Sequence, residues 1–213
     1  DKIISTIHFI LKRELDFPIF LREGVIEILN FFVKETETDV FSDKLSDIVT
    51  YIIDNFNLII EASNDKILLD TQTQTQKKKE ERRNINKTLL ISHQSIGQNC
   101  LKLLSLLNLP RLQEQGTDLD LEALQDHLGE LLKKQSLLPL QAKFAARLIV
   151  KLDKVSSKKI SMGIVESLVS FLDVKSSFLQ ANLRAILELL RADKDMFIYF
   201  MNQLDEFNYK LIE

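Results

Sequence analysis

The chain has 213 residues, 45% of them hydrophobic and 28% charged, with a formal net charge of −3. That apolar content suffices for a buried core, and the mild acidity gives no global field toward nucleic acid or an anionic membrane surface. An all-β domain needs turn signals every ~8–12 residues, and five Gly, three Pro and no Trp do not supply them.

Cys100 is the only cysteine, so no disulfide forms within the chain, and the expected setting is a reducing one, cytoplasm or nucleus. Asn86-Lys87-Thr88 matches a glycosylation sequon and is read as a chance match in that setting. The longest apolar stretch, from Val25 to Val33, is interrupted by Glu27 and Asn30. A membrane-spanning helix takes ~20 apolar residues, so none is expected. The sequence opens on Asp1 without a signal peptide and is expected to be a piece of a longer protein.

Helical periodicity runs through most of the chain. Ile3, Ile4, Ile7, Ile10 and Leu11 form the first stripe. A second helix is predicted from Pro18 to Lys34, with Pro18 in its first turn; it is apolar nearly all round and should be covered on several sides. A third begins at Ser42 or Asp43 and carries Leu45, Ile48, Val49, Ile52, Ile53 and Phe56 at i, i+3, i+4, i+7 spacing, reaching Ala62. Residues 70–84 contain no aliphatic or aromatic side chain and cannot offset the entropy of ordering, so their first half reads as a mobile loop. The next helix carries Leu89, Leu90, Ile96, Cys100, Leu101, Leu104 and Leu107 and stops before Pro110.

Punctuation is more regular beyond that point. Asp118 or Asp120 starts a helix with Leu121, Leu124, Leu128 and Leu132, and Pro139 opens one with Leu140, Phe144, Leu148 and Leu152. Ser157 precedes a helix with Ile164 and Leu168, Ser176 one with Leu183 and Leu187, and Asp193 or Asp195 the last, with Phe197 and Phe200. The chain also repeats itself. Leu124, Leu128, Leu131 and Leu132 fall on Ile164, Leu168, Phe171 and Leu172 at a shift of 40, and Leu140, Ala145, Leu148 and Ile149 fall on Phe178, Leu183, Ile186 and Leu187 at a shift of 38. Periods near ~40 residues mark stacked helical pairs.

Gln141-Ala142-Lys143-Phe144-Ala145-Ala146-Arg147-Leu148 resembles the second helix of a HEAT repeat, where small alanines let helices approach. Leu21-Arg22-Glu23-Gly24-Val25-Ile26-Glu27-Ile28-Leu29 resembles the last helix of an armadillo repeat. The resemblance implies an all-α fold, a right-handed α-solenoid of about nine antiparallel amphipathic helices. Residues 1–213 would then be one solenoid segment, with armadillo-like helices over 1–62, the polar insert at 70–84, HEAT-like pairs over 85–213, and further repeats in the same protein.

Signs of catalysis are weak. The glycines never form a phosphate-binding loop. His8, His93 and His127 are not at metal spacing from one another, and Asp126, His127 and Glu130 read as a solvated helix face. Cys100 lies in an apolar stripe and reads as a core residue. The expectation is a non-enzymatic chain with no cofactor and no metal. Lys77, Lys78, Lys79, Arg82 and Arg83 form a candidate basic patch, either an import signal, a phosphate-contacting surface or a solvated tip. Phe197 and Tyr199 flank the last stripe as a candidate docking point at the end of the stack. Family resemblance therefore implies an intracellular scaffold holding protein partners on a helical ridge or groove. The alternatives are a solenoid contacting nucleic acid through the basic insert, or a regulatory helical domain of a larger protein.

Overall fold

The computed structural model describes residues 2–12, 19–35, 42–55, 95–114, 116–155, 159–172, 178–191, 197–198 and 201–202. Among these residues all regular structure is helical and no strand occurs, as the periodicity predicts. The chain divides into two compact units, Asp1–Leu119 and Asp120–Glu213. The polar segment 70–84 lies outside the described residues.

In the first unit, α1 (Lys2–Lys12) buries Ile7 and Leu11, one turn apart, and packs on both α2 (Ile19–Glu35) and α3 (Ser42–Asp54). Helix α3 follows the sequence template closely: Leu45, Ile48, Val49 and Ile52 are all buried. Full burial of side chains of this size stabilises by roughly 1.5–3 kcal/mol each. Helix α2 departs from expectation. Val25, Ile26, Leu29, Asn30 and Val33 form its buried stripe, but Ile28 and Phe31 are exposed, so it is covered on one side only. Its apolar residues outnumber the positions its neighbours in the fold can reach.

Residues 95–106 form α4, whose Ile96, Cys100, Leu101, Leu103 and Leu104 are all buried. The Asn30 side-chain amide of α2 donates to the Asn99 carbonyl of α4 at 2.9 Å inside this core. Helix α4 ends ahead of Pro110, as predicted, and a short helix that the periodicity misses follows: α5 (Leu109–Glu114). Asn108 accepts from the Arg111 amide at 3.4 Å, and Pro110 sits in the first turn, where its missing N–H costs nothing. Beyond α5, the Gly116 amide donates to Gln113 and the Thr117 amide to Leu112, at 3.0 and 3.1 Å. With Gly116 at φ +95, this pattern of helix termination favours glycine.

The second unit begins with α6 (Leu121–Lys133), capped by Asp120, which accepts from the Ala123 amide at 2.9 Å. Helix α7 (Pro139–Asp153) opens on its proline, and the Gln141 side chain accepts from the Leu138 amide at 3.1 Å. Helices α8 (Ser161–Ser170) and α9 (Leu179–Leu190) complete the described core. Helix α6 packs on α7 and α8, and α9 on α7 and α8, the α7–α9 contact being the most extensive. Buried alanines on both partners, Ala142, Ala145 and Ala146 on α7 and Ala181 and Ala185 on α9, suit a close approach of the two backbones.

Burial corrects one part of the repeat. A shift of 40 places Gln141, Ala142, Ala145 and Ile149 on Ala181, Asn182, Ala185 and Leu189, and all eight are buried. The shift of 38 instead places buried Ala145 and Ile149 on Leu183 and Leu187, which are 39% and 54% exposed. Leucines on the outer face of α9 resemble core leucines in sequence, whereas buried Gln141 and Asn182 do not look like core. A shift of 40 also relates buried Leu124, Leu128 and Leu132 to buried Ile164, Leu168 and Leu172, so both helices of the unit share one period.

Candidate functional site

The basic residues Lys77, Lys78, Lys79, Arg82 and Arg83 lie outside the described residues, as does Tyr199. Phe197 is exposed, together with its neighbours Ile198 and Met201. A different surface brings chemistry together, and it is built on α7 and α9.

Lys143, Arg147 and Lys151 recur every four residues on α7 and therefore share a face, with their attachment points about 6 Å apart along the axis. On α9, Leu183 and Leu187 share a face with Arg191 by the same spacing. In the register of 40, Lys143, Arg147 and Lys151 are the counterparts of Leu183, Leu187 and Arg191. One exposed strip is thus mainly cationic on one helix and part aliphatic on the next.

Glu188 lies at the seam between them and is only 8% exposed. The Arg147 guanidinium holds it by two contacts, Nε to Oε2 at 2.7 Å and Nη2 to Oε1 at 3.2 Å. Arg191 Nη1 reaches Oε1 at 3.0 Å and Lys143 Nζ lies 4.0 Å from the same oxygen. Arg147 also stacks over Phe144, 5.9 Å from the ring centroid. Burial, followed by repulsion from Arg147 and Lys154, pulls the Lys151 amine below its ordinary value. Along α7, α9 and the residues that end them, the carboxylates are Asp153 and Glu188 and the cations Lys143, Arg147, Lys151, Lys154, Arg184 and Arg191. Both carboxylates are held in hydrogen bonds.

Asp153 acts structurally. Its Oδ1 accepts from the buried Gln125 side chain of α6 and from the Ile160 amide at 3.2 Å, and its Oδ2 from the Ser161 amide at 3.3 Å. The last residue of α7 therefore caps α8 from a distance. Ser157, the start signal read from sequence, lies outside the described residues, and Ile160 itself has no side-chain oxygen to offer.

Cys100 is fully buried, and burial pushes its thiol up to about 12 against a small opposing effect of Arg22. A thiol held protonated at neutral pH is a poor nucleophile and a poor metal ligand. Among the described residues no group of three or more His, Cys, Asp and Glu is placed to hold a metal ion. No helix among them is long and apolar enough to cross a membrane. No protein-family model, curated protein or solved structure matches the chain.

Proposed function

We propose that the chain is a non-catalytic scaffold segment of the HEAT type, which holds a partner protein on the outer faces of α7 and α9 in a reducing, intracellular compartment. The observation that carries this reading is the pairing of equivalents: α6 packs on α8 and α7 on α9, each pair related by a shift of 40 residues. Contacts between every second helix are what a two-layer stack of helical pairs produces, since one pair cannot cover its own apolar face. Stacking also lines up equivalent outer faces into a continuous ridge, and here that ridge presents Leu183 and Leu187 beside cations. Exposed leucines rimmed by polar side chains are typical of protein-binding surfaces.

A photo-crosslinking amino acid at Leu187, in the full chain expressed in its own cells, tests the reading. The expected product is a discrete adduct with another protein, absent when the probe occupies exposed Glu122 on α6. Equal, diffuse labelling from both positions would count against a scaffold role for this ridge.

A further inference from the structure

We infer that the outer face of α2 is a contact between two copies of this chain, which pair through Leu21, Gly24, Ile28 and Phe31 in an antiparallel, two-fold arrangement. The inference is independent of the scaffold reading, since α2 belongs to the first unit and the α7–α9 ridge to the second. Helix α2 carries two apolar stripes. Val25, Ile26, Leu29 and Val33 serve the core, whereas Leu21, Ile28 and Phe31 lie on the opposite side and are 37%, 49% and 62% exposed. With Gly24 they follow the 3-4-3 spacing at which one helix presents a seam to another. Together they expose on the order of 300 Å² of apolar surface, a size at which a patch on a monomer is often functional.

Gly24 selects the occupant. Glycine inside a helix weakens it relative to alanine, and the fold does not require it here: a Cβ at Gly24 would meet nothing within 4 Å. Gly129, by contrast, is explained by its crossing with α8, where a Cβ would lie 3.2 Å from Ile160 Cδ1. Gly163 also has open space, but Glu166 and Ser167, one turn on, give it no apolar flank. Gly24 is a gap between exposed apolar side chains, and the largest of these, Phe31, stands seven residues away on the same stripe. Two antiparallel copies about an axis near Ile28 set Phe31 of each over Gly24 of the other and bring the two Ile28 side chains together. Knob and gap thus belong to one patch, as a two-fold contact requires, and this self-fit favours a second copy over an unrelated partner. Two such patches bury less than the ~1,200 Å² at which stable complexes begin, so the dimer is weak and reversible. Glu27, exposed beside the axis, meets its own counterpart and weakens it further.

Sedimentation equilibrium of the full chain across the micromolar range tests this. Expected is a concentration-dependent monomer–dimer equilibrium that Phe31→Ser weakens by roughly tenfold or more. Gly24→Gln should weaken it as much while leaving or raising the melting temperature, because it fills the gap with a better helix former. Exchange of the two residues, Gly24→Phe with Phe31→Gly, should restore the dimer that each change alone weakens, since the antiparallel fit is reciprocal. Glu27→Gln should tighten it several-fold. Ile28→Cys should form a disulfide between copies under mild oxidation, while the parent, whose Cys100 is fully buried, does not. A chain that stays monomeric throughout the range overturns the proposal. Slow thiol labelling of Ile28→Cys in that monomer would then give the face to the chain's own residues, and rapid labelling would show it open. A dimer indifferent to Phe31→Ser and Gly24→Gln overturns the proposal as well, by placing the contact on another face.

Discussion

Arg147 on α7 and Glu188 on α9 form a two-point contact at 2.7 and 3.2 Å across the most extensive helix–helix interface of the second unit. The Glu188 side chain is nearly buried while the Arg147 side chain is 41% exposed, so solvent screens one partner and hardly the other. Arg147→Ala leaves Glu188 with Arg191 and Lys143 alone and should cost about 1–2 kcal/mol, less than for an isolated buried pair. Arg147→Lys keeps the charge but loses the fork and should recover only part of this. Urea unfolding of both single variants and of Arg147→Ala with Glu188→Ala should give a coupling of about 1 kcal/mol. Strict additivity would show that the pair contributes nothing.

Asp153 joins three helices through one carboxylate, so its removal should weaken more than its own helix. Asp153→Ala leaves buried Gln125 and two amides of α8 without their acceptor, at a cost of about 2 kcal/mol. Asp153→Asn retains Oδ1 but turns an N–H toward the Ser161 amide, and should restore less than half. Hydrogen exchange at Ile160 and Ser161 should accelerate in both variants. Unchanged protection there would remove the cap assignment.

Gln135 holds φ at +54 where α6 ends, with its amide donating to Leu132 and the Ser136 amide to Leu131. This is the termination that Gly116 provides after α5, made here with a side chain that disfavours it. Gln135→Gly should therefore stabilise the protein by about 0.5–1 kcal/mol, and Gly116→Gln should destabilise it by a similar amount. A lowered melting temperature for Gln135→Gly would contradict the strain argument.

Cys100 makes stability fall with pH in a defined window. Its thiol rises from 9.0 to about 12 on folding, so between those values the unfolded chain releases a proton that the folded chain keeps. The native state then holds more protons, and stability declines by up to about 1.4 kcal/mol per pH unit from about 9 upward, with no effect below. Unfolding of Cys100→Ala across the same range should lack this slope. An aromatic disulfide reagent at neutral pH should react with the parent only as fast as the core opens.

Most of the helical framework was legible because the buried stripes of α3, α6 and α8 are mainly aliphatic, Gln125, Gly129 and Ser161 excepted, and follow the helical period. Leu45, Ile48, Val49 and Ile52 need no tertiary information to be read as a core face. The outer ridge was not legible for the opposite reason. Leu183 and Leu187 are chemically indistinguishable from core, and Glu188, which is buried, looks like surface. The partners of Glu188 across the seam, Arg147 and Lys143, reveal which is which. Lys143, Arg147 and Lys151 stand four apart in the sequence, a spacing less conspicuous than the denser basic run at 77–83. The capping role of Asp153 has no local signature, since the helix it caps begins eight residues later.

Gly129 approaches α8 so closely that a methyl group there would lie 3.2 Å from Ile160 Cδ1 and 3.3 Å from Ile164 Cδ1. The crossing acts as a fulcrum. A helix of thirteen residues is about 20 Å long, so a few tenths of an ångström of added separation at its middle becomes a larger swing at its ends. Those ends carry Asp120 and the turn that leads into α7. The absence of a side chain at Gly129 therefore sets how closely α6 and α8 approach at this crossing.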